Sequence, residues 1–201
     1  MAGVVDIVNQ ALSALGEARI TSLDDPGQTA GLARSLYEAV RDGETAGHSW
    51  NFARARVMLP AMIQAPAFDW AHQYLLPPDC LRVLEAGPWP QALMDDYIAR
   101  ENRAWLIEGR CLLSNQGPPL NLIYLRRVED PAFYPPFFVE VLAAKLAVRM
   151  TERLTGAAGK RELAWKEYET ALRMAKRLNA IQLPPLKQAD GEWMRAHLMG
   201  G

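Results

Sequence analysis

Apolar residues recur at helical spacing near both ends of the chain and in short strand-like runs in its middle. Val4, Ile7, Val8, Ala11, Leu12 and Leu15 fall on one helical face, with Gly16 placed as a stop, so residues 4–15 are predicted helical. A second helix is predicted over 26–42. Asp25 can cap it, Pro26 suits its first position, and Gln28 stands where a capping box needs it. Leu32, Ala33, Leu36 and Val40 form its stripe, and Gly43 and Gly47 end it.

From Trp50 to Val128 the pattern changes, and prolines and turn residues separate short β-type runs. These are Asn51 to Leu59, Leu81 to Glu85, Trp105 to Glu108, Arg110 to Leu113 and Leu122 to Val128. Glu108-Gly109 between two of them predicts a tight hairpin, because glycine supplies positive φ. The expectation is one small antiparallel sheet. Helical spacing returns after Asp130-Pro131 and Pro135-Pro136, over 136–154. Phe138, Val141, Leu142, Lys145, Val148 and Arg149 make a stripe that turns polar toward its end, and Thr155-Gly156 stops it. The last predicted helix is 159–181. Its apolar face is Ala164, Tyr168, Ala171, Leu172, Ala175 and Leu178, and Lys160, Arg161, Lys166, Arg173, Lys176 and Arg177 make it the most basic element. Pro184-Pro185 ends it. Trp50, Phe52, Trp105, Phe137 and Phe138 are expected in the core.

Four amphipathic stripes must be buried against one another. The predicted fold is α+β: a bundle of four helices from both chain ends, an inserted small antiparallel β domain and an extended C-terminal arm. The expected division is 1–49 with 129–183 for the bundle, 50–128 for the β-rich insertion and 184–201 for the arm.

Composition adds limits. With 50% hydrophobic and 22% charged residues the 201-residue chain is ordinary globular material, long enough to bury a core. A net charge of -1 leaves no basic excess for counterion-driven nucleic-acid binding. Cys80 and Cys111 sit in apolar runs and are expected as buried thiols in a reducing compartment. The first residues lack the basic start of a signal peptide, and no apolar run reaches the ~20 residues of a membrane span, so a soluble chain made inside the cell is expected.

Candidate chemistry is sparse. Leu154 to Arg161 is the nearest approach to a phosphate loop, but Leu154 stands where glycine is needed, Arg161 where serine or threonine is needed, and the segment joins two helices. His48, His72 and His197 are far apart and lack metal-ligand spacing. The pair Asp69 and His72 occurs once, whereas a di-metal bundle needs a pair from each of two helices and two further glutamates. Asp24-Asp25 and Asp95-Asp96 are adjacent acids of the kind that stay solvated. No serine or cysteine stands in a nucleophile motif. The expectation is no catalytic residues, no metal and no cofactor. The basic face of the last helix is broken by Glu162, Glu167 and Glu169, which favours a solvated or subunit-facing surface over DNA recognition. The arm differs: Trp193, Met194 and Leu198 are apolar anchors in polar surroundings, suited to docking on a partner.

Three stretches together resemble the tail tubular protein A family, the head-to-tail adaptors of short-tailed phages and their prophage relatives. The first is Ile7 to Leu23, with its short helix, Leu15-Gly16-Glu17 and Ile20-Thr21-Ser22-Leu23. The second runs from Ala33-Arg34 to Ser49-Trp50-Asn51-Phe52, with its Trp-x-Phe element. The third runs from Leu122 through Glu129-Asp130-Pro131 to Phe133, and on from Phe137 to Gly156. The resemblance implies a structural head-to-tail connector, not an enzyme. It implies a dodecameric ring beneath the portal, helical part toward the portal and β part toward the next tail component. DNA would pass through the lumen without sequence-specific binding, and no membrane is involved. Localisation would be the virion at the head–tail junction, and the host cytoplasm during assembly. Ring contacts join two different faces of each subunit, and Arg149, Arg153, Lys166 and Arg173 on the last two helices are the candidates. The arm would reach the portal. The alternatives are a nucleic-acid-binding packaging or regulatory module, marked by salt-dependent DNA affinity, and a small bundle enzyme, marked by a deep pocket with shifted titratable groups.

Overall fold

The computed structural model describes residues 3–87, 105–155 and 158–182. Helix α1 (Val4–Leu15) matches the predicted span. Asp6 accepts the Gly3 N–H at 2.8 Å in its first turn, favourable to the helix dipole. At its end Gly16 takes φ 75°, and the Gly16 and Glu17 N–H groups donate to the Ser13 and Leu12 carbonyls. This glycine-dependent stop needs the left-handed region.

Helix α2 (Gln28–Gly47) departs from expectation at both ends. Asp25 does not cap it. Its carboxylate instead accepts the Thr21 and Ser22 N–H groups at 2.7 and 3.0 Å, which closes the preceding turn. Those two bonds hold its pKa below the ordinary carboxylate value. The helix also continues through Gly43 to Gly47. Tertiary partners hold this last turn: the Trp50 indole donates to the Glu44 carbonyl at 2.8 Å, and the Tyr168 hydroxyl reaches the Glu44 carboxylate at 3.0 Å.

After a short 3-10 turn at Asn51–Ala53, the strands are β1 (Arg54–Leu59), β2 (His72–Leu75), β3 (Cys80–Ala86), β4 (Leu106–Glu108), β5 (Cys111–Ser114) and β6 (Leu120–Arg126). They form two three-stranded antiparallel sheets, β1-β6-β3 and β2-β5-β4, where one sheet was expected. The missed element is β2, whose four residues lie in a proline-rich stretch and pair with β5 from a distance. The predicted hairpin is present: Glu108 pairs with Cys111 across Gly109 at φ 58°.

Helices α3 (Pro136–Thr155) and α4 (Ala158–Ile181) follow a 3-10 turn in which Asp130 accepts the Ala132 N–H. Helix α3 is central and packs on α1, α2 and α4. Its stripe therefore does not turn polar: Leu146, Ala147, Val148, Met150 and Thr151 are all buried, and Arg149 is exposed beside them. On α4, Ala164, Tyr168 and Ala175 are buried as expected, but Leu178 is 40% exposed and Asn179 takes the inward place.

Two clusters of buried side chains result. The larger draws on all four helices, with Trp50 and Phe138 fully enclosed and Phe52 and Phe137 packed against them. The smaller lies between the sheets, around Tyr74, Leu112, Leu120, Leu122 and Tyr124, with Trp105 at its margin. Strand β6 serves both. Tyr124 and Leu125 are neighbours in sequence and point to opposite faces, one into each cluster. The order is thus bundle, first sheet, second sheet.

Candidate interaction surfaces

The bundle and the first sheet are joined by polar contacts of specific geometry. Asn179, 3% exposed near the end of α4, accepts the Asn51 N–H at 2.9 Å and donates to the Ser49 carbonyl at 3.1 Å. Its own carbonyl accepts from the Asn51 side chain at 2.8 Å. The His48 ring stands 3.5 Å from the Asn179 amide and edge-on to Trp50. Burial, then the charges of Lys176 and Arg82, push the His48 pKa down. Nearby, Asp42 is shared by Arg41 of the helix and Arg127 beyond β6, at 2.9 and 2.8 Å. On the other side of α2, Glu44 meets Lys145 at 3.6 Å, and the Lys145 ammonium stands 4.1 Å from the Tyr168 ring centre and 5.1 Å from that of Trp165. Desolvation and the Glu44 charge drive the Tyr168 hydroxyl far up from its usual pKa, so it stays a neutral donor. These contacts hold layers together, and none pairs a nucleophile with a base.

A depression of about 640 Å³ lies on the first sheet beside Gly87 and Trp105. Arg56 and Glu85 are its only charged walls among the described residues, and Met58, Leu84 and Ile123 make it apolar. Among the described residues its walls carry no histidine or cysteine. Among the described residues no three His, Cys, Asp or Glu side chains converge to hold a metal ion, and no helix is long and apolar enough to cross a membrane. Cys80 and Cys111 are free thiols on different sheets, half-buried where full burial was expected, because each sits toward the end of its strand.

The surface is more informative. Arg149, Arg153, Lys166 and Arg173 all lie exposed on α3 and α4. Lys166 is engaged within its own helix by Glu162 at 2.9 Å. The arm anchors Trp193, Met194 and Leu198 lie outside the described residues. Two exposed apolar features were not anticipated. The connection between β1 and β2 presents Ile63 and Phe68, 107% and 77% exposed. On α4, Leu163, Met174, Leu178 and Ile181 face solvent on a side other than the buried one. The second feature was visible in principle, since the four residues share a helical face; the first has no periodic signature.

A protein-family model described as tail tubular protein matches residues 5–182. No curated protein matches the chain.

Proposed function

Because the chain belongs to the tail tubular protein family, structural proteins of the phage tail and hence of the virion, we propose that it is the head-to-tail adaptor. It forms a ring beneath the portal, connects the portal to the next tail component, and leaves a lumen for DNA. The family match across nearly the whole chain carries this assignment. The layered architecture supports it, with an all-helical end and a β end available to two different neighbours. In this role residues 1–49 and 129–183 act as the portal-side unit, 50–128 as the tail-side unit and 184–201 as a docking arm. Ile63 and Phe68 are the tail-side apolar contacts. Arg149, Arg153, Lys166 and Arg173 line subunit boundaries. The chain performs no catalysis, and assembly takes place in the host cytoplasm.

Mass measurement with and without assembled portal tests the role. The expected result is a portal-bound oligomer of fixed stoichiometry, twelve copies by the family resemblance. Deleting 186–201 is expected to leave the thermal transition unchanged and weaken portal binding, with Trp193→Ala alone costing about 2 kcal/mol of binding. Failure to bind assembled portal would overturn the adaptor role. A truncation that lowers the transition by several degrees would show that the arm packs on its own chain.

A further inference from the structure

We propose that the free face of α4 packs against the free face of α2 of a second copy of this chain. This rests on the assembly role above and adds the two surfaces that meet. Leu163, Met174, Leu178 and Ile181 are 59%, 54%, 40% and 69% exposed and share one side of α4. The side used within the chain is a different one, carrying Ala164, Tyr168, Ala175 and Asn179. Helix α4 is therefore apolar on two sides, and its own chain's described residues cover only one. Met174, Leu178 and Ile181 are contiguous over about 10 Å of the axis, and exposed Glu167 and Thr170 stand on the same side between them and Leu163. Arg173 and Arg177 flank it, both exposed and neither bonded to another described residue.

A surface that receives this ridge must be recessed and acidic. The solvent side of α2 has both properties. Gly31, Ser35, Ala39 and Ala46 recur along it over about 22 Å, so the helix backbone is approachable there. A Cβ at Gly31 or Gly43 would meet nothing within 4 Å, so packing inside the chain does not require glycine at either place, although glycine weakens a helix. The acids on this side are Glu38 and Asp42, and the exposed Arg34 one turn before Glu38 is paired with Asp24 at 3.0 Å. Asp42 is already taken by Arg41 and Arg127, whereas Glu38 is exposed and forms no ion pair among the described residues. Large apolar side chains with arginines thus face small side chains with a glutamate. The two faces belong to different helices, so the contact is heterologous and propagates from copy to copy, as a closed ring requires.

Cross-linking tests the pairing. Ala39→Cys and Met174→Cys sit at exposed positions, and the unsubstituted chain, which keeps Cys80 and Cys111, gives the baseline. Under conditions of portal-bound assembly, a short bifunctional maleimide is expected to join the two variants when mixed and neither variant to itself. Self-linking of Met174→Cys would mean that α4 meets α4, and overturns the pairing. Rings that form without the mixed product place the contact elsewhere, overturning the pairing while the adaptor role stands. A Met174→Cys thiol shielded from a water-soluble reagent in the monomer would mean the chain's own residues cover the stripe, which also overturns it. No oligomer on assembled portal overturns the adaptor role and this contact with it. Charge reversal provides a second measurement: Arg173→Glu with Arg177→Glu is expected to cut the assembled fraction on the order of tenfold, and adding Glu38→Arg to restore it. No restoration in rings that the reversal had weakened counts against the pairing.

Discussion

Asn179 satisfies three polar groups at the joint between α4 and the first sheet, and it does so from a buried position. Removing its side chain leaves the Asn51 N–H and the Ser49 carbonyl without these bonds. Asn179→Ala is expected to cost about 1–3 kcal/mol, read as a lower denaturant midpoint at unchanged slope. An unchanged midpoint would show that water replaces the amide. His48 adds a pH dependence. Its pKa is lowered by burial, so the folded state holds the neutral ring while the unfolded chain protonates near the ordinary value of about 6.5. The unfolded state then binds more protons, and stability rises with pH in that window. The stabilisation of the neutral ring is complete above about pH 6.5 and is lost as pH falls through the lower folded value. The transition temperature is expected to drop on acidification through this range, and less so in His48→Gln. Equal slopes in both proteins would remove His48 from the account. No local pattern marks these residues. An asparagine on a basic helix reads as solvated, and its partners Asn51 and Ser49 lie 128 and 130 residues earlier.

At the scale of elements, the helices were legible to within a few residues, because amphipathic stripes report directly which face must be buried. The end of α2 was not. Gly43 has the local preference of a terminator, yet the helix continues, since Glu44 is held by Tyr168, Lys145 and the Trp50 indole. Gly43 takes no left-handed conformation and its missing Cβ faces open space. Gly43→Ala is accordingly expected to raise the stability of the isolated chain by about 0.5–1 kcal/mol, measured as an upward shift of the thermal midpoint. A loss instead would mean that the position needs glycine for a contact inside the chain. At Gly16 the opposite holds. There φ is 75°, and Gly16→Ala is expected to lower stability by about 1 kcal/mol in the same measurement. Strand β2 was missed for a related reason. Its four residues are too short for periodicity and owe their conformation to pairing with β5.

At the scale of the molecule, a net charge of -1 suits the proposed conduit, which DNA would traverse without being held. Duplex DNA is expected not to be retained at physiological salt in a mobility-shift experiment. A complex whose affinity falls steeply with salt would favour a nucleic-acid-binding module over an adaptor. The stacking of bundle, first sheet and second sheet gives the molecule two chemically different ends. That asymmetry is what the proposed connector between unlike neighbours would use.

Hydrophobic periodicity alone determined that four helices form, that strands lie between the second and third, and that the chain is α+β. Those features follow from which side chains must leave water, a property each segment carries by itself. The family was legible as well, from the order of Leu15-Gly16-Glu17, Trp50-Asn51-Phe52 and Asp130-Pro131 along the chain. Only the tertiary structure decided that the strands divide into two sheets, that α3 is buried on several sides, that Asn179 rather than Leu178 turns inward, and that the described residues leave a second apolar side of α4 uncovered. Each of these depends on what stands opposite a residue in space. Pairing partners and packing neighbours far along the chain set that environment, and no local sequence pattern encodes it.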